Sequence, residues 1–137
     1  MPTVNVTWVG ARQFVGTDSN GHSIVLSGDD PATGVRPSEM LLVALAACSG
    51  YDVVQIMEKK RYALDAFEVV VDGERDPRPP WAYHTIRVTY RLRGPHLTEK
   101  AVAQAIDLSV NKYCSVAATV GGKAKIETAF EILDAKG

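Results

Sequence analysis

Cysteine is scarce in this chain, since only Cys48 and Cys114 among its 137 residues carry a thiol. The first ten residues, MPTVNVTWVG, have no basic flank followed by an apolar segment, so a secretory signal peptide is not expected. The predicted location is therefore the reducing cytoplasm, where two cysteines are more often free or redox-active thiols than a permanent disulfide.

An excess of charge of either sign is also lacking. Fifteen Lys and Arg residues against sixteen Asp and Glu residues leave a net charge of −1, with the signs mixed along the chain. Neither nucleic acid nor an anionic membrane is therefore predicted as a partner. The chain has no CxxC pair, and His22, His84 and His96 are scattered without the spacing of zinc ligands, so no metal site is expected.

One apolar stretch, 36–61 (RPSEMLLVALAACSGYDVVQIMEKKR), stands out from the rest of the sequence. Its leucine, alanine and methionine content and its lack of proline after Pro37 predict a helix about 36 Å long at ~1.5 Å per residue. Pro37 or Ser38 would open it, with Ser38 as the N-cap. Polar residues between Ser49 and Gln55 argue against a membrane span over 40–57.

Apolar or small residues occupy most of the circumference of this helix between Met40 and Met57. The sheet of so small a chain covers only one side of a helix. We therefore expect a central buried helix, which holds its thiol in a protected place and meets both the second helix and another subunit.

The remaining segments alternate in polarity or repeat at helical spacing. Alternation predicts six strands, at 3–9, 12–17, 22–27, 66–75, 84–93 and 124–133. Asn20-Gly21 indicates a hairpin turn, and one face of the fifth strand collects Ile86, Val88, Tyr90 and Leu92. A second helix is predicted over 99–113, capped by Thr98, with Val102, Ile106, Val110 and Cys114 in one row. Residues 115–120 fit either a short helix or a strand.

The predicted order is thus βββ-α-ββ-α-β, an α+β fold in one domain over residues 1–137, with an antiparallel sheet and two central helices.

The two cysteines are the candidate reactive groups. On a helical wheel, Cys48 shares its face with apolar residues before it and with polar ones after it, among them Asp52. Inert packing is the ordinary role of a lone buried cysteine. A second thiol at Cys114 favours a redox pair, because the two could meet if their helices pack together. Arg12 and Arg36 are candidates to stabilise a thiolate or else ordinary surface charges, whereas Asp52 would raise a thiol pKa.

Two motifs together resemble the OsmC/Ohr family of hydroperoxide-reducing proteins, in its OsmC-like branch. They are PSEMLLVALAACSGYDVV, around Cys48, and NKYCSV, around Cys114. The resemblance extends over nearly the whole chain and includes FVGTDSNGHSIVL. It implies an intertwined homodimer in which Cys48 is the peroxidatic and Cys114 the resolving cysteine, with no metal, haem or flavin.

The resemblance also implies a site arginine and a site glutamate. Arg12 is the best positional match for the arginine. When the proline of the family motif is laid on Pro37, its glutamate falls on Ser38, and Glu39 stands one place later. Glu39 is the candidate for this role.

The predicted function is therefore that of a cytoplasmic thiol peroxidase, which reduces organic hydroperoxides with a thiol or dithiol as reductant in oxidative stress defence. The alternatives are a non-catalytic redox sensor or small-ligand-binding dimer on the same fold, and a structural oligomeric domain with inert cysteines.

Overall fold

The first three strands form a small antiparallel sheet. The structure, a computed structural model, describes residues 1–134. Strands β1 (Asn5–Trp8), β2 (Gln13–Thr17) and β3 (Ser23–Ser27) pair in the order β1-β2-β3. Gly21 has a φ of 86° in the turn between β2 and β3, a conformation that glycine adopts without steric cost. The predicted meander and its Asn-Gly hairpin are confirmed.

The long helix α1 (Pro37–Lys59) follows, as its composition predicts. Its first intrahelical bond runs from the Met40 N–H to the Arg36 carbonyl at 2.8 Å. Pro37 therefore occupies the first helical position, where a missing N–H is harmless. The expectation that Ser38 is the N-cap is wrong by two places, because Ser38 lies inside the first turn and Arg36 precedes the helix.

The other end of α1 closes through its backbone. Arg61 has a left-handed φ of 65°, and the N–H of Tyr62 donates to the Met57 carbonyl at 2.9 Å, as in a Schellman motif. By length and composition α1 is apolar enough to cross a membrane, a property that core helices share. One side of α1 is buried, through Leu45, Ser49, Gly50, Val53 and Met57.

The second sheet contains β4 (Ala66–Arg75), β5 (Tyr83–Arg93) and β6 (Lys125–Ile132), in the order β4-β5-β6. The β4 and β5 strands are antiparallel, whereas β6 runs parallel to β5. The α+β prediction is confirmed, but the expected antiparallel arrangement does not extend to β6. A parallel pair needs a long crossover, and the helices between β5 and β6 supply it.

That crossover has three parts: α2 (Glu99–Leu108), a π-helical turn (Ser109–Tyr113) and α3 (Ser115–Val120). Thr98 caps α2 as predicted, accepting the Ala101 N–H at 3.1 Å. Residues 115–120, for which a short helix and a strand were both predicted, form a helix. The single helix predicted over 99–113 is thus an α-helix continued by a π-helical turn.

The core lies among α1, the second sheet and the crossover. The predicted apolar face of β5 is buried, and Val102 and Ile106 of α2 pack against it. Gly50 allows α1 to approach β4, because a Cβ at this position would lie 3.2 Å from the Phe67 ring. Val43 and Tyr51 remain exposed on the other side of α1. The predicted burial of this helix therefore holds for one of its faces.

The described residues fall into two compact units, Met1–Leu41 and a second that begins at Leu42. A single domain over residues 1–137 stays a prediction, and its last three residues, 135–137, lie outside the described residues.

Candidate functional site

The two cysteines come together in the second compact unit. Cys48 lies on α1 and is partly exposed, while Cys114 is only 2% exposed. The two thiols are close enough to shift each other's pKa, and both are free of disulfide bonds. Two adjacent thiols of unequal exposure can in principle react in sequence, the exposed one first.

The π-helical turn determines where Cys114 lies. The Cys114 N–H donates to the Ser109 carbonyl at 2.8 Å, five residues back rather than four. Cys114 then adopts an extended conformation and becomes the N-cap of α3, where its sulfur accepts the Ala117 N–H at 3.3 Å. The expected row of Val102, Ile106, Val110 and Cys114 on one helix is therefore wrong at its last member, because the chain leaves the α-helical register before Cys114.

The surroundings of Cys48 favour its thiolate. Burial alone would raise the pKa of Cys48, but hydrogen bonds from the Val116 backbone N–H, the Cys114 thiol and the Ser115 side chain outweigh it and hold the pKa below the ordinary value of 9.0. The Val116 N–H, in the first turn of α3, thus contributes to stabilising the Cys48 sulfur. The Asp52 carboxylate acts in the opposite direction, as expected from its position one turn away on α1.

The surroundings of Cys114 favour its neutral thiol. Burial raises the pKa of Cys114 to about 11, and the neighbouring Cys48 sulfur contributes further in the same direction. The Ala117 N–H opposes this rise without cancelling it. At pH 7 a thiol with a pKa of about 11 is ionised in roughly one molecule in ten thousand. The two thiols are therefore differentiated, because Cys48 ionises more readily and Cys114 stays protonated.

A buried polar chain, defined here as Tyr90, Ser49, Ser109 and Asp52, lies beside the thiols. The Tyr90 hydroxyl and Ser49 Oγ are 2.6 Å apart, Ser49 Oγ and Ser109 Oγ are 2.8 Å apart, and Ser109 Oγ donates to Asp52 Oδ2 at 3.0 Å. Sequence reasoning missed the first three members, because hydroxyls within apolar segments carry no periodic signal. The only signals in the sequence are that Ser49 directly follows Cys48 and that Ser109 lies five residues before Cys114.

Arg12 and Glu39, the other two predicted site residues, lie in the first compact unit. Arg12 forms an exposed ion pair with Asp30 at 3.6 Å. Glu39 accepts a hydrogen bond from Arg36 Nη1 at 2.9 Å, and Arg36 also binds Asp29 at 2.6 Å. Glu39 thus has an arginine partner, and that partner is Arg36.

A groove of about 520 Å³ lies between the C-terminal half of α1 and the crossover. Asp52, one turn from Cys48, and Tyr113, the residue before Cys114, both line it. Ile56 and Leu108 contribute apolar wall, and Gln55, Lys59 and Lys60 contribute polar groups, a lining that suits a small amphipathic molecule. Within residues 1–134, no cluster of three or more His, Cys, Asp or Glu side chains is arranged to hold a metal ion.

Comparison with known proteins places these features in a family. The model of the family described as OsmC-like protein matches residues 28–129. Protein YhfA of Escherichia coli strain K12 is 35% identical over 130 residues, which cover 95% of this chain and 97% of that protein.

Solved structures share the fold. A hypothetical protein from Aquifex aeolicus VF5 superposes with a TM-score of 0.88 at 32% identity, covering 97% of this chain and 96% of that one. The organic hydroperoxide resistance protein OhrB of Bacillus subtilis superposes with a TM-score of 0.62 at 16% identity, covering 96% of this chain and 98% of that one. The second likeness is one of fold alone.

Proposed function

This chain belongs to the OsmC-like protein family, and from its thiol pair we propose that it is a thiol peroxidase acting on organic hydroperoxides. The observation that carries the proposal is the contact between Cys48 and Cys114, whose pKa values are shifted in opposite directions. The fold shared with organic hydroperoxide resistance proteins supports a role in peroxide resistance.

The proposed reaction begins with the Cys48 thiolate, which attacks the distal oxygen of the hydroperoxide. The O–O bond breaks, the alkoxide leaves and takes up a proton as the alcohol, and Cys48 becomes a sulfenic acid. The Cys114 thiol then attacks the Cys48 sulfur, which forms the disulfide and releases water. A thiol or dithiol reductant restores both cysteines by exchange and is itself oxidised to a disulfide.

The two pKa shifts suit these two roles. A lowered pKa of Cys48 raises the thiolate fraction available for attack on the peroxide. The raised pKa of Cys114 keeps it protonated and slow to react with peroxide. Its proton meanwhile hydrogen-bonds the Cys48 sulfur.

The groove lined by Asp52 and Tyr113 supports an organic substrate. Ile56 and Leu108 offer apolar surface within it. Hydrogen peroxide has no apolar part to bind there, whereas the alkyl or aryl group of an organic hydroperoxide does. We therefore propose a preference for organic over hydrogen peroxide.

Arg12 and Glu39 belong to the proposal as supporting residues. Arg12 is assigned to stabilise the thiolate and the departing alkoxide, and Glu39 to orient an arginine. The ion pair of Glu39 with Arg36 makes Arg36 a second candidate for the guanidinium. Separate substitution of Arg12 and Arg36 by glutamine tests which of them supports Cys48.

We also propose that the protein is a homodimer in the cytoplasm. An apolar groove of about 590 Å³ lies along the exposed side of α1 and β4, and Val43, Tyr51 and Phe67 are among its lining residues. Soluble monomers rarely expose apolar surface of this kind, and a second copy would cover it. Sedimentation equilibrium at micromolar concentration should give twice the mass of one chain.

The second candidate function is a redox sensor that oxidises once and then changes its affinity for a partner or ligand. The register of Glu39 favours it, because the family's glutamate position is held by Ser38 and the structure pairs Glu39 with Arg36. A sensor consumes one equivalent of peroxide per subunit, whereas an enzyme cycles.

Counting thiols during a titration with cumene hydroperoxide tests the proposed function. The reduced protein should lose two thiols per subunit for each peroxide consumed. Cys48→Ser should consume no peroxide, and Cys114→Ser should accumulate a sulfenic acid at Cys48 that dimedone traps. Retention of both thiols in the wild-type protein would refute the peroxidase reaction.

A further inference from the structure

The buried polar chain has a defined direction. The Asp52 carboxylate only accepts hydrogen bonds, so Ser109 donates its single hydroxyl proton to it at 3.0 Å. Ser109 Oγ is then left to accept from Ser49, and Ser49 Oγ in turn accepts from Tyr90. Each hydroxyl thus donates once, toward the carboxylate, and hydrogen bonds aligned in this way strengthen one another.

Burial makes this chain costly to break. Tyr90, Ser49 and Ser109 are each 0% exposed, so water does not replace a lost partner. No buried side-chain nitrogen or oxygen within residues 1–134 lacks a hydrogen bond. A hydroxyl deleted from the chain would leave its neighbour unsatisfied in the core.

Ser109 connects the elements that carry the two thiols. Its side chain bonds to Ser49, the residue after Cys48, with the two Oγ atoms 2.8 Å apart. Its own carbonyl accepts the Cys114 N–H at 2.8 Å and thereby closes the π-helical turn. If this turn relaxed to an α-helix, Cys114 would move by about 100° around the axis.

We propose that the polar chain of Tyr90, Ser49, Ser109 and Asp52 is a positioning device for the resolving step, which holds Cys114 in the π-helical register where it reaches Cys48. This inference rests on the proposed function and deepens it. In the step concerned, the Cys114 sulfur bonds to the sulfenic sulfur of Cys48, the S–O bond breaks, and the proton of Cys114 leaves with the hydroxyl as water. The chain acts through Cys114, and of its four members only Asp52 lines the groove.

The matched pair Asp52→Ala and Asp52→Asn tests the proposal. Both variants remove the charge that acts on Cys48, but only asparagine keeps an oxygen that accepts from Ser109. After one equivalent of cumene hydroperoxide, Asp52→Ala should form the Cys48–Cys114 disulfide about tenfold more slowly than Asp52→Asn, as expected for a lost buried hydrogen bond. The rate of Cys48 oxidation is measured in each variant, and disulfide formation is followed from the sulfenic acid already formed.

Quenched-flow mass spectrometry with dimedone separates the sulfenic acid from the disulfide. Ser109→Ala, the second variant, should show the same accumulation of sulfenic acid at Cys48. Val102→Ala, a fully buried substitution outside the polar chain, controls for lost stability. Equal resolving rates in the two Asp52 variants, or equal slowing in Val102→Ala, would overturn the proposal.

Oxidised glutathione separates this inference from the proposed function. The Cys48 thiolate displaces one glutathione to give a mixed disulfide, and Cys114 displaces the other to close the same protein disulfide. If the wild-type protein fails to reduce peroxide, the proposed function fails, yet this assay still measures the closing step. The ratio of the disulfide-closing rates of Asp52→Ala and Asp52→Asn then tests the positioning role.

Discussion

The hydrogen bond from the Cys114 thiol to Cys48 gives the sharpest prediction. Cys114→Ala removes the donor, whereas Cys114→Ser replaces it with a hydroxyl that donates more strongly. Each variant leaves Cys48 as the only cysteine of the chain, so its titration is read without interference. The alanine variant should therefore have a higher pKa at Cys48 than the serine variant.

The magnitude follows from the contacts of Cys48. Burial raises its pKa, and three hydrogen bonds lower it, from the Val116 N–H, Cys114 and Ser115 in decreasing order. A hydrogen bond to a charged group contributes about 1.5 kcal/mol or more, and one pKa unit corresponds to 1.36 kcal/mol. Loss of the Cys114 donor should therefore raise the Cys48 pKa by about one unit, which reduces the thiolate about tenfold at a pH well below both pKa values.

Alkylation by iodoacetamide between pH 5 and pH 10 measures this pKa. The serine variant should stay within about half a unit of the wild-type value, and the alanine variant should lie about one unit above it. The alanine variant should also melt at a lower temperature, because Cys114 caps α3 and serine can replace that cap. Identical Cys48 pKa values in the two variants would refute the role given to the Cys114 thiol.

Three further predictions concern pH, packing and the supporting arginine. The pKa of Cys114 is raised to about 11 in the folded chain, so the stability this thiol contributes is complete below pH 9 and is lost as the pH rises through 11. Urea denaturation across that window should show a smaller loss of unfolding free energy in Cys114→Ser than in the wild type. Gly50→Val should lower the free energy of unfolding by about 1–3 kcal/mol, since its Cβ alone would lie 3.2 Å from Phe67, and chemical denaturation measures this. Arg12→Gln should slow peroxide consumption several-fold with an unchanged melting temperature, because the ion pair of Arg12 is exposed, and an unchanged rate would remove Arg12 from the site.

Much of the fold could be predicted from polarity patterns. Alternation marked the strands, and the buried face of β5 was predicted residue by residue, since side chains on a strand point to opposite sides in turn. Asn20-Gly21 marked the hairpin for an equally local reason. The parallel pairing of β6 could not be predicted in this way, because it depends on how a crossover returns the chain and not on any local pattern.

The candidate site likewise has features that the local sequence reveals and features that depend on the packed structure. The cysteines stand out by their chemistry, and the motifs around them indicate the family. The π-helical turn before Cys114 arises when one residue too many is accommodated in a helix, which composition does not reveal. The link between Ser49 and Ser109 joins residues that are distant in the sequence, so only the packed structure brings them together.

Turnover with a dithiol tests the central claim most directly. Reduced protein at micromolar concentration, with excess cumene hydroperoxide and excess dithiothreitol, should consume many equivalents of peroxide per subunit, and Cys48→Ser should not exceed the rate without protein. The same assay with hydrogen peroxide should be slower. Consumption that stops after one equivalent would favour the sensor, and consumption that persists in Cys48→Ser would contradict the assignment of Cys48 as the nucleophile.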